Sequence, residues 1–187
     1  QKMAQKAQKF GLELRPHFKA HQSLEIGRWF KEYGIKKITV SSVEMALYFS
    51  EEWNDITIAF PTNILEIEEI NCLAQKVYLN LLVESEEVVT FLIANLEDSV
   101  GVFLKIDVGY RRTGISSKDT AKMDRIIELI DKSSKLTFKG FLGHAGHTYN
   151  CRSKEEIKDA HRQSLRHILP LKEGYPDSIL SMGDTPS

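Results

Sequence analysis

The chain has 187 residues, 42% hydrophobic and 27% charged, which is the composition of an ordinary globular domain and excludes a disordered or low-complexity tract. Its net charge of −1, with acidic and basic residues mixed and not run together, argues against a nucleic-acid or membrane surface and leaves small molecules or another protein as partners. Cys72 and Cys151 stand far apart without CxxC spacing, which argues against a disulfide scaffold or a zinc knuckle and fits a reducing cytoplasm. No apolar run reaches ~18 residues, and the first residues lack the charged-then-apolar order of a signal peptide.

The chain opens without an initiator methionine, inside a helical pattern. A first strand is predicted over Arg15 to Lys19, then a helix over Ser23 to Tyr33 with Ser23 as its cap and Gly34 as its stop. A strand over Lys37 to Ser41 leads into a helix over Val43 to Glu51, started by Ser42. Strands over Ile56 to Phe60, Val77 to Val83 and Gly101 to Val108 then alternate with helices over Ile64 to Lys76, Glu86 to Leu96 and Thr120 to Lys132. A strand over Gly140 to His144, a helix over Lys154 to Leu171 opened by Ser153 and Glu156 as a capping box, and a strand over Ser178 to Met182 complete the pattern.

Strands alternating with helices imply an α/β fold with a parallel sheet, doubly wound or closed into a barrel. No GxGxxG follows any strand, which favours a TIM-like (β/α)8 barrel of ~250 residues when complete. About seven βα units are visible and no eighth strand precedes Ser187, so the expectation is one incomplete barrel domain over 1–187, cut at both ends.

In a barrel, function gathers at the C-terminal ends of the strands, and four unusual clusters fall there. The first is His17-Phe18-Lys19-Ala20-His21, where burial of Lys19 would lower its pKa and free an amine able to hold a carbonyl cofactor as a Schiff base. The plainer reading is a solvated lysine between two histidines. The second is Lys105-Ile106-Asp107-Val108-Gly109-Tyr110-Arg111-Arg112-Thr113-Gly114-Ile115, an apolar strand ending in two glycines that bracket two arginines, whose guanidinium groups suit an anionic oxygen or stand solvated on a surface turn. The third is Gly140-Phe141-Leu142-Gly143-His144-Ala145-Gly146-His147-Thr148-Tyr149, where small residues between two imidazoles let a planar ligand approach, or where one histidine is packed and one exposed. The fourth, Ser178-Ile179-Leu180-Ser181-Met182-Gly183-Asp184-Thr185-Pro186, offers hydroxyls and backbone N–H groups that suit a phosphate, with Asp184 awkward unless its carboxylate is turned aside. A plain turn before Pro186 is the alternative.

Together these clusters resemble the pyridoxal-phosphate (PLP) barrels of the alanine-racemase-like group, fold type III, and most closely its D-threonine aldolase and D-serine dehydratase branch. The branch's Arg-Pro-His-x-Lys-x-His signature is met by Arg15, Pro16, His17, Lys19 and His21, with Ala20 where a threonine is usual. Its Asp-x-Gly-x-x-Arg-x-Gly signature is met by Asp107, Gly109, Arg112 and Gly114. A His-Ala-Gly-His-x-Tyr run and a Ser-x-Gly-x-Thr-Pro phosphate loop are met by His144 to Tyr149 and by Ser181, Gly183, Thr185 and Pro186.

The resemblance implies roles for these residues. Lys19 would form the Schiff base and act as base toward the substrate Cα proton, and Arg112 would contact the cofactor's phenolic oxygen. His144 would lie against the pyridine ring and Tyr149 would approach its nitrogen. Gly183, Thr185 and Ser181 would bind the phosphate. The implied activity is aldol cleavage or dehydration of a small D-β-hydroxy amino acid, in a homodimer when the protein is full length. Racemisation and a non-catalytic PLP carrier are alternatives, and a metal-dependent amidohydrolase-like barrel is a further one. In the family a C-terminal β-domain supplies the histidine and the cysteine or aspartate that bind a divalent metal. That half is not in this sequence, so no metal ligand is assigned.

Overall fold

The computed structural model describes residues 2–184. Helix α1 (Lys2–Lys9) and a loop precede α2 (Leu24–Glu32), and the chain then alternates β1 (Ile38–Val40), α3 (Val43–Phe49), β2 (Asp55–Pro61), α4 (Ile67–Ala74), β3 (Tyr78–Val83) and α5 (Glu86–Asn95). It continues through β4 (Val100–Asp107), the two-residue β5 (Ile115–Ser116), α6 (Thr120–Asp131), β6 (Leu136–His144), α7 (Lys154–Ile168), α8 (Leu171–Gly174) and β7 (Ile179–Gly183). Every pairing is parallel, in the order β1-β2-β3-β4-β6-β7, with β5 beside the end of β4. This curled parallel sheet with helices on its outside is an incomplete TIM-like barrel.

Helix starts follow the local chemistry. Ser23, Ser42 and Ser153 each accept a hydrogen bond from the backbone N–H three residues on, satisfying a donor the helix leaves unpaired. Glu156 closes its capping box one residue early, accepting from Arg152 N–H at 2.7 Å instead of from Ser153. Gly34, at φ +78°, ends α2 as the sequence predicts. The helix expected through Leu171 breaks after Ile168, because Pro170 has no N–H to continue it. The helix expected from Ile64 opens instead as a 3-10 turn, Ile64–Glu66.

One predicted strand is corrected. Arg15 to Lys19 keeps only a single parallel bridge, His17 with Thr39, and turns at once into a 3-10 turn, Phe18–Ala20. Pro16 offers a carbonyl to Thr39 N–H (2.9 Å) but has no N–H of its own for a ladder. Phe18 is fully buried, 5.0–5.1 Å from the rings of Phe30, Phe49 and Trp53, and this anchor pulls the chain off the sheet.

The two faces of the sheet differ. Outward residues such as Ile56, Leu81, Leu104 and Ile106 form one core with Phe49, Leu73, Leu92 and Ile126 of the helices. Burying each such side chain stabilises by ~1.5–3 kcal/mol. The alternate residues build a separate inner cluster of Leu82, Phe103 and Leu142, with buried Thr39, Thr57, Asn80 and Lys105 on neighbouring strands. At the N-terminal end of β2, Asp55 receives Arg15 (2.7 Å) and Asn80 (3.2 Å). Arg15, the first residue of the lysine signature, is thus a structural tie away from the strand C-termini.

Candidate functional site

Lys19 stands exposed in the 3-10 turn after the His17 bridge, so the burial expected there is not found. Its backbone N–H donates to His17 Nδ1 at 3.3 Å, which leaves that nitrogen without a proton. His17 is pushed down to about 4, first by burial and then by the charges of Lys19 and His144. His21, by contrast, packs on Phe18 and Phe30 at 4.3 and 5.6 Å between ring centres and belongs to the core.

His144 ends β6 with its Nδ1 3.0 Å from the Gly183 carbonyl. A carbonyl only accepts, so Nδ1 carries the hydrogen and Nε2 keeps a lone pair. Burial lowers the His144 pKa; the Gly183 bond opposes that, and the charges of Lys105, Lys19 and Arg112 add to it. The lysine of the first cluster, the arginine of the second and the histidine of the third therefore meet in one electrostatic neighbourhood, although they are remote in sequence.

The arginine loop is wound on Asp107, whose Oδ1 accepts from Gly109 N–H and Arg111 N–H, both at 2.9 Å. Arg111 takes φ +55° to make this turn. The Arg112 guanidinium lies 5.1 Å from the centre of the Tyr110 ring. Tyr149, exposed in the 3-10 turn Gly146–Asn150, has its ring centre 6.0 Å from that of His144. In the same turn the buried Thr148 hydroxyl donates to the Asp184 carboxylate. Ser181 lies on β7 opposite Leu142, two residues before Gly183 and on the same strand face. Thr185 and Pro186 lie outside the described residues.

Sequence reasoning gave Lys105, at the head of the second cluster, no role. It is 5% exposed on the inner face of β4, and its pKa is lowered to about 8, first by burial and then by Arg112, with Glu84 and Asp107 opposing. Glu84, just after β3, has a buried Oε2 that no donor among the described residues reaches. The available signal was the alternation along β4, which puts Phe103, Lys105 and Asp107 on one face of an otherwise apolar strand.

A lysine rim, two imidazoles held neutral, an arginine and strand-end backbone fit an anionic ligand that carries a carbonyl. Among the described residues no group of three or more His, Cys, Asp or Glu side chains is placed to hold a metal ion. No helix among them is long and apolar enough to cross a membrane. A cleft of about 620 Å³ lies between α1 and the turn after α2, away from these residues, and its Lys37 and Glu13 are paired with each other at 2.7 Å.

The family described as alanine racemase, N-terminal domain, matches residues 1–187. Over 206 residues the chain is 32% identical to D-serine dehydratase of Dictyostelium discoideum, covering 99% of this chain and 52% of that protein. The solved structure of D-threo-3-hydroxyaspartate dehydratase from Delftia sp. HT23 superposes with a TM-score of 0.81 at 24% identity, over 99% of this chain and 51% of that one. D-threonine aldolase from Filomicrobium marinum gives a TM-score of 0.81 at 20% identity, over 88% of this chain and 46% of that one. The chain spans about half the length of these relatives. It belongs to the alanine racemase N-terminal domain family.

Proposed function

We propose that this chain is the cofactor-carrying barrel of a PLP-dependent lyase that acts on a small D-β-hydroxy amino acid. The observation that carries the reading is the shared electrostatic neighbourhood of Lys19, Arg112 and His144 at the strand ends. The positive charges that add to burial in lowering these two imidazoles suit a phosphate and a phenolate. Dehydration takes precedence over aldol cleavage, because the dehydratases of Dictyostelium and Delftia align over 99% and 100% of the chain. No metal ligand is assigned to this half.

When bound, PLP delocalises negative charge that develops at the substrate Cα. Lys19 Nζ would hold the cofactor covalently until the substrate amine displaces it, and the freed amine would be the base for the Cα proton. Arg112 would donate to its phenolic oxygen, and His144, kept in one orientation by its bond to Gly183, would lie along its ring. Tyr149, standing where another enzyme could place an acidic partner, would leave the ring nitrogen unprotonated. Ser181, Gly183 and Thr185 would receive the phosphate, and the Asp184 carboxylate is engaged by Thr148.

The test is an absorption spectrum of the protein expressed from its full-length gene, with borohydride reduction and peptide mapping. The expected result is a reducible cofactor band whose adduct maps to Lys19 and is lost in Lys19→Ala. D-Serine should then yield pyruvate and ammonia, whereas glycine and acetaldehyde from D-threonine would indicate the aldolase. A colourless protein that takes up no PLP would sink the reading.

A further inference from the structure

Tyr110 touches both Arg112, in its own loop after β4, and His144, at the end of β6. The Arg112 guanidinium sits 5.1 Å from the centre of the Tyr110 ring, and the ring meets His144 edge-on at 5.9 Å and 85°. His147 lies 6.3 Å away on a tilted contact. The arrangement is built and not incidental. Asp107 winds the loop through two backbone bonds of 2.9 Å, and this presents Tyr110 to the β6 end. Gly146 leaves the space the ring needs, since a Cβ there would lie 2.5 Å from Tyr110 Cε1 and 2.9 Å from His144 Nε2.

An exposed arginine samples many rotamers, and a ligand that needs one of them must first overcome that entropy. A guanidinium resting on an aromatic face is already restricted. The same ring limits the swing of the His144 imidazole, whose other side is fixed by Gly183. We infer that Tyr110 is a positioning residue that preorders Arg112 and His144 for the cofactor, an inference that rests on the PLP reading above.

The experiment uses the full-length protein, with PLP affinity measured by equilibrium binding and the cofactor band followed as a function of pH. Tyr110→Phe keeps the ring and should match the wild type in both. Tyr110→Leu should weaken PLP binding by about two- to fivefold, as expected for loss of a cation–π contact, and should shift the pH midpoint of the band. In an Arg112→Ala background the same substitution should cost much less, because one of the groups it positions is gone. Should Tyr110→Leu fail to fold, Tyr110→Met carries the same expectation. A wild type that takes up PLP beside ring-free variants that match it overturns the inference alone. A wild type that takes up none overturns the functional reading, and the inference with it.

Discussion

His17 titrates near 4 in the folded chain against an ordinary value of 6.5, because burial and the charges of Lys19 and His144 disfavour the imidazolium. Between those values the unfolded chain binds a proton that the folded chain does not, so stability falls as pH drops from about 6.5 to about 4 and levels off below. Urea denaturation across this window should show that slope, and His17→Gln should flatten it; an unchanged slope would mean that His17 is not the group responsible. Lys105 acts with the same sign in a higher window. Its value of about 8 against 10.5 makes stability rise as pH climbs through that range. The histidine and arginine identities were legible as motifs, but the low-lying titrations were not, because desolvation depends on neighbours distant in sequence.

Among the elements, β6 starts four residues earlier than the pattern in the sequence. The apolar alternation predicts a strand from Gly140, yet β6 runs from Leu136, with a register shift against β4 between Val102 and Phe103. The shift leaves Gly140 at φ +139°, where a Cβ would stand 2.0 Å from the Ile179 carbonyl oxygen of β7. Backbone cannot rotate away as a side chain does. Gly140→Ala is therefore expected to cost about 3–5 kcal/mol, read as a shift in the denaturation midpoint; a loss under about 1 kcal/mol would show that β7 moves freely. The caps at Ser23, Ser42 and Ser153 were legible because an N-cap is a contact over three residues. The first strand was misread because Phe18 is held by Phe30, Phe49 and Trp53, none of them local.

At the scale of the molecule, the sheet carries a large outer core and a small inner one, and the polar inner row of Lys105 and Ser181 is level with Leu142 across β4, β6 and β7. Strands β3 and β4 are hydrogen-bonded on both sides, whereas α1 buries none of its side chains. Amide hydrogen exchange should accordingly be slowest in β3 and β4 and fastest in α1. Fast exchange in β4 would contradict this architecture. Ile179 of β7 is 47% exposed, a large apolar side chain on a strand that pairs, among the described residues, with β6 alone.

The sequence by itself determined the βα alternation, the outward apolar face of each strand and the helix starts, because periodicity and capping act over a few residues. It also set out the residues of the four motifs in order. The tertiary structure alone decided that Lys19 is exposed while Lys105 is buried, that Arg15 serves Asp55 and not the strand C-termini, and that Tyr110 joins the loop after β4 to the end of β6. Those outcomes depend on the curl of the sheet, which brings the ends of strands remote in the chain into one neighbourhood. There burial and summed charge set what each side chain does.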